Sequence, residues 1–270
     1  MNRSRKRKPL GKHDRYGIYL IVVVVAIVAV LGGLAAYWAN LSQIDPDTLC
    51  PKNVPLLSHQ VVLIDKTDPL TESQMNFLGR RILELKEGLE PGEKLSMFVL
   101  DADNLIGPKP LFSKCSPGRG DQANALYQNP KQVKAKFDRY FEAPLQEELQ
   151  ALRINSTSNT SPIFEMIREI GFLKDFSPTI RRRRMLLASD LLQHMPPKFS
   201  LYAEVGSYER FSQTAYGQEN QTDLNQVEME IDFFQRPSAE SLQGSRQFIE
   251  FWLSYLGAQG VRVSLVRKVP

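Results

Sequence analysis

Histidine, cysteine and tryptophan are scarce in this chain of 270 residues, with three, two and two copies. There is no Gly-x-Ser-x-Gly, no His-Glu-x-x-His and no glycine-rich phosphate loop, so the sequence nominates no nucleophile, no zincin centre and no nucleotide cradle. An excess of positive charge is also missing from most of the chain. Arg3, Arg5, Lys6, Arg7, Lys8, Lys12 and Arg15, set against Asp14, put +6 of the overall +4 in the first fifteen residues, which leaves residues 16–270 at −2. The basic balance is therefore a property of the tail, and nucleic-acid binding loses its main support.

The chain does contain one long apolar run. Gly17 to Trp38 reads GIYLIVVVVAIVAVLGGLAAYW without a charge, and about 20 such residues span a bilayer as a helix. The run is longer than the roughly 7 to 15 residues of a signal-peptide core, and Leu34-Ala35-Ala36-Tyr37-Trp38-Ala39 offers no clean cleavage site. A membrane anchor is expected, with the basic flank held in the cytoplasm and the remainder exported. The organisation read from the sequence is a basic cytoplasmic tail (1–16), a transmembrane helix (17–38), a stalk (39–56) with Pro46, Pro51 and Pro55, and one domain (57–270). The location this implies is a cytoplasmic (inner) membrane, with the domain in a periplasm or outside the cell. Cys50 and Cys115 would then lie in an oxidising space, either paired or as two unrelated thiols.

Strand and helix patterns alternate through the domain. Val61 to Ile64 is an apolar strand. Met75, Leu78, Ile82, Leu85 and Leu89 form a helical stripe after Thr71-Glu72-Ser73-Gln74, and Lys94 to Leu100 is a second strand. Residues 106–128 read as a hairpin or long loop, and 131–153 as a helix that Pro144 kinks or breaks. Ser161-Pro162 precedes a helix from Ile163 to about Leu173, and Met185 to Ser189 is a buried strand preceded by Arg181 to Arg184, read as a solvated strand end. Residues 207–226 are polar and read as an insertion or mobile loop. Val227 to Phe233 alternates like a half-exposed strand, Ser238 caps a last helix, and Val261 to Val266 closes as a strand. This order predicts an α/β fold: a doubly wound, mostly parallel sheet with helices on both faces.

Hard oxygen groups stand where two of these strands end. Asp65 and Thr67 follow the first strand in Asp65-Lys66-Thr67-Asp68-Pro69, Asp190 follows Leu186-Leu187-Ala188-Ser189, and Ser161 opens a helix. In open α/β sheets ligands bind at the carboxyl ends of the strands, so these groups converge if the two strands are parallel neighbours. In this respect residues 59–270 resemble the von Willebrand factor type A domain, whose metal-ion-dependent adhesion site uses Asp-x-Ser-x-Ser after the first strand, a loop threonine before a helix, and an aspartate after the central strand. The resemblance assigns Asp65, Thr67, Ser161 and Asp190 as metal ligands. Pro69 departs from it, standing where the second serine belongs, so one direct ligand is missing. Asp68, Thr71 or a water are the available replacements.

What the resemblance implies is a protein-binding module that uses Mg²⁺, with Mn²⁺ or Ca²⁺ as lesser choices, to engage a partner carboxylate. The partners would be membrane or envelope proteins. The competing reading is a metal-free structural subunit of a membrane or envelope complex. A haloacid-dehalogenase-like phosphatase ranks third, because that chemistry needs an acid two residues after the nucleophile and Thr67 is a hydroxyl. Asp101-Ala102-Asp103 is similar to the Asp-x-Asp of sugar transferases, but two acids at a strand end are more often ordinary loop residues. The chain is expected to be a binder and not an enzyme.

Overall fold

In a computed structural model the described residues are 12–41, 43–124, 126, 128–154, 157–202 and 205–270. The tail cations Arg3, Arg5, Lys6, Arg7 and Lys8 lie outside them. Two units are present, one of residues 1–44 and 51–54, the other of residues 45–50 and 55–270. In the first, helix α1 runs Lys12–Leu41. Its stretch Tyr16–Trp38, 23 residues at mean hydropathy 3.0, is long and apolar enough to cross a membrane, and none of its most apolar window is buried.

The second unit runs β1 (Ser58–Ile64), α2 (Glu72–Glu87), β2 (Lys94–Val99), β3 (Phe112–Cys115), α3 (Pro130–Phe137), α4 (Ala143–Ala151), α5 (Ile163–Gly171), β4 (Arg182–Ser189), β5 (His194–Met195), β6 (Phe199–Ser200), α6 (Tyr208–Ser212), α7 (Ala215–Glu219), β7 (Glu228–Phe234), α8 (Glu240–Gln243), α9 (Arg246–Ala258) and β8 (Arg262–Val269). Six strands form one sheet in the order β3-β2-β1-β4-β7-β8. All neighbours are parallel except β2 and β3. The expected doubly wound, mostly parallel α/β sheet is the fold observed. β5 and β6 pair separately.

Alternation along β1 explains the two layers of helices. Val61 and Leu63 point into a core shared with Phe164, Ile167, Phe248 and Trp252 from α5 and α9, whereas Val62 and Ile64 point into a core shared with Leu78, Ile82, Phe141 and Leu145 on the other side. A strand buried on both faces must be apolar at every position, and the Val-Val-Leu-Ile run meets that requirement. The α2 stripe is fixed at its start by a capping box between Thr71 and Gln74, which satisfies two of the orphan donors at the helix N-terminus. Pro144 stands in the first turn of α4, which a π turn at Asp138–Glu142 separates from α3.

Four local readings change. Residues 207–226 are not a mobile polar loop: α6 and α7 carry Phe211 and Tyr216 into the core, capped by Ser207 and Thr214. β7 is half exposed only at its start, where Glu228 and Glu230 are partly exposed, whereas Asp232 is buried between Arg81, at 3.2 Å, and Arg267, at 2.9 Å; ion pairing lets this acid sit inside the sheet. The last helix is two pieces, with Ser245 rather than Ser238 capping the long one. In the arginine run, Arg182 is exposed and pairs with Glu93 at 2.6 Å, but Arg183 is buried and donates to the carbonyls of Phe176 and Asn225.

Cys50 and Cys115 form a disulfide 65 residues apart in sequence, so the turn at 45–50 is covalently joined to β3. Closing a loop of this size stabilises the domain by about 4 kcal/mol through the lost entropy of the unfolded chain. Cys115→Ser should lower the unfolding free energy of the detergent-solubilised chain by that order, measured in urea; an unchanged midpoint would contradict it.

His59 sits in β1 with Nδ1 at 2.6 Å from the Asp175 carbonyl and Nε2 at 2.8 Å from Ser96 Oγ. A carbonyl only accepts, so Nδ1 carries the proton and Ser96 donates to Nε2. Burial lowers its pKa from 6.5 to about 4, against the pull of Asp175. The fold thus holds a neutral imidazole. Its contribution is fully present above pH 6.5 and is lost as pH falls through about 4, by roughly 3 kcal/mol. An NMR titration should place the His59 midpoint near 4, and a midpoint at the ordinary value would contradict this.

Candidate functional site

β1 lies between β2 on one side and β4 on the other, so the chain's winding reverses at the β1–β4 boundary, the place where such sheets open a crevice. Asp65 and Asp190 leave the sheet at this boundary. The Asp65 N–H still bonds to the Ala188 carbonyl at 2.8 Å, which carries the pairing one residue past β1 and fixes the carboxylate. Both side chains are almost wholly buried, at 1% exposure each.

Both carboxylate oxygens of Asp65 are engaged. Oδ1 accepts from the Thr67 N–H at 3.0 Å and its hydroxyl at 2.6 Å, while Oδ2 accepts from Ser189 Oγ at 2.7 Å and Ser161 Oγ at 3.4 Å. Ser161 reaches this position because its loop pairs backbone-to-backbone with His194, at 2.7 and 3.0 Å. The same loop is held from below, Ser158 N–H donating to the Thr67 carbonyl at 2.9 Å and Lys66 Nζ to the Ile154 carbonyl at 2.6 Å. Asp65, Thr67 and Ser161 are thus joined directly by hydrogen bonds, and Asp190 stands next in the chain to Ser189, which holds Asp65.

Asp190 has other partners. Its Oδ1 accepts from the Leu192 N–H at 3.0 Å, and its Oδ2 accepts from Arg236 Nε at 2.8 Å. Leu191 between them is left-handed, with φ of 61°, and Ser189 Oγ stabilises that turn by accepting the Leu191 N–H at 2.8 Å. Arg236 comes from the loop after β7 and is itself 8% exposed. Its Nη1 donates to the Pro69 carbonyl at 2.5 Å and Nη2 to the Asp68 carbonyl at 3.2 Å. Gln243 sets its backbone, accepting the Arg236 N–H at 2.7 Å while donating to the carbonyls of Asp190, at 2.9 Å, and Phe234, at 3.1 Å. At the rim, the Tyr202 hydroxyl donates to Asp68 Oδ2 at 3.2 Å.

The charge balance explains the displaced carboxyl of Asp190. Burial and then the neighbouring Asp65 raise the pKa of Asp190 to about 7, opposed by Arg236 and the Leu192 N–H. Asp190 is buried beside a second acid, so it holds its proton late even with Arg236 bonded to it. Tyr202 is likewise pushed up, by burial first and then by Asp190 and Asp68, and keeps its proton.

The divalent ion implied by the resemblance meets two obstacles. Pro69 supplies no side-chain oxygen, and its carbonyl is already an acceptor for Arg236. Arg236 also places a fixed positive charge on the Asp190 oxygen that the ion would share. A divalent ion on that carboxylate would compete with the guanidinium for Oδ2 and be repelled by its charge. These residues do not fit a divalent ion.

Ser189, Arg236, Gln243 and Tyr202 were not among the residues expected from the sequence. Ser189 was detectable as a hydroxyl beside Asp190. Arg236 was detectable only as a cation just past the strand next to β4. By contrast, Asp101 caps its own turn, its Oδ1 accepting the Asp103 N–H at 2.9 Å, which is the ordinary loop role. Ser189→Ala removes one donor to Asp65 and the acceptor for Leu191, so it should cost about 1 to 3 kcal/mol in urea unfolding; a change within error would show that the Ser189 bonds do not hold the edge.

No family model matches this chain and no curated protein matches it. Among solved structures, the chain is similar to an aerotolerance-related membrane protein from Bacteroides fragilis NCTC 9343 carrying multiple mutations to serines, at 11% identity, over 79% of this chain and 92% of that chain, with a TM-score of 0.33. At that score the similarity carries no argument, and the fold class rests on the sheet described above.

Proposed function

We propose that the chain is a single-pass membrane protein, N-terminus inside, that presents a von Willebrand factor A-like binding module beyond the cytoplasmic membrane as a subunit of a membrane or envelope complex. The observation that carries this reading is the stretch Tyr16–Trp38, an uncharged helix long enough to span a bilayer whose apolar side chains are exposed. Such a surface is stable only in lipid or against a partner. The basic tail supports the orientation through the positive-inside bias, and the disulfide supports export to an oxidising compartment.

The carboxyl edge of the sheet is the binding face in this reading. Its buried groups are bonded to one another, Asp65 by hydroxyls and an amide and Asp190 by Arg236 and an amide, an arrangement that supports a built binding face. Its rim offers Tyr202, 48% exposed, beside Asp68. A half-exposed tyrosine next to a carboxylate combines apolar area with hydrogen-bonding capacity, as protein interfaces do. The partner is accordingly a protein.

Alkaline phosphatase fused after Pro270 should be active and a fluorescent-protein fusion at the same point dark; the reverse pattern would overturn the orientation. A photo-crosslinker at position 202 in native membranes should give discrete protein adducts that are absent when it replaces exposed Arg182 at the opposite end of β4. Equal labelling from both positions would overturn the assignment of the face.

A further inference from the structure

An ion in an adhesion site ties several loops together through its ligands. Here three loops are already tied, and a side chain does it. The Arg236 guanidinium, coming from the loop after β7, bonds Asp190 from the loop after β4 and the carbonyls of Asp68 and Pro69 from the loop after β1. We propose that Arg236 is the resident cation of this edge, taking the place and the structural role of a divalent ion, so that the loops are assembled independently of metal.

Each neighbouring residue fits that role. Pro69 provides no side-chain ligand for an ion but presents its carbonyl to Nη1. Gln243 holds the Arg236 backbone and the Asp190 carbonyl at once, so cation and carboxylate are set at a fixed separation by one amide. The guanidinium is planar and permanently charged, and its fork serves one carboxylate and two carbonyls simultaneously. A lysine in the same place would be a point charge with a single reach. Unlike a bound ion, this cation cannot be stripped by a chelator or exchanged with the medium. The inference concerns how the edge is held and is separate from what docks on it, so a failed crosslinking experiment leaves it untouched.

The test uses the full chain in detergent. Titrated with Mn²⁺ and followed by paramagnetic resonance, the parent should bind no stoichiometric ion into the millimolar range, and its Tm should be the same in EDTA and in Mg²⁺. Arg236→Gln should lower the Tm by roughly 10 °C in either medium, since it leaves a buried carboxylate without its partner, and Arg236→Lys should fall between the two. One equivalent of Mn²⁺ bound by the parent and lost in Asp190→Asn would overturn the proposal. So would an Arg236→Gln protein that melts with the parent. The titration of the parent requires no variant to fold.

Discussion

Asp65 and Asp190 give up nearly all of their hydration where β1 and β4 end, and the geometry of the whole carboxyl edge follows from that cost. A buried carboxylate is tolerated when its oxygens are hydrogen-bonded or its charge is paired. Asp65 meets the condition with hydroxyls and an amide, drawn from its own turn, from Ser161 and from Ser189. Asp190 meets it with an amide and with Arg236. Because these donors come from four different loops, satisfying two side chains fixes the positions of all four.

The sheet makes this arrangement possible. β1 and β4 are central and parallel, so their ends fall side by side, and their register sets Ile64 against Ala188, which lets the next N–H, that of Asp65, reach the Ala188 carbonyl. Apolar runs bury both strands between two layers of helices, which keeps water from the roots of the two acids. The low dielectric that makes each acid costly also strengthens each bond made to it. The stretch Tyr16–Trp38 belongs to the other unit, where an uncharged helix long and apolar enough to cross a membrane leaves its apolar side chains exposed among the described residues.

Much of this was legible in the sequence, because the elements that build the sheet announce themselves locally. Val61 to Ile64 and Met185 to Ser189 are apolar runs, the α2 stripe is periodic, and the acids at positions 65 and 190 follow strands. What could not be read is what depends on partners distant in sequence. Alternating acids in β7 looked like a wet face because Arg81 and Arg267 are 151 and 35 residues away from Asp232. Phe211 and Tyr216 looked like residues of a polar loop because their anchoring role depends on Phe164, remote in the chain. Arg236 is the same case at the candidate site: spacing shows the aspartate it neutralises but not the arginine that does so.

In the proposed arrangement the Arg236–Asp190 pair closes the edge without an ion. A double-mutant cycle on Arg236→Gln and Asp190→Asn, read by urea unfolding of the full chain in the presence of EDTA, measures that pair most directly. The expected coupling energy is about 2 to 3 kcal/mol, unchanged when Mn²⁺ replaces the chelator. A coupling near zero, or one that arises only with Mn²⁺, would contradict it.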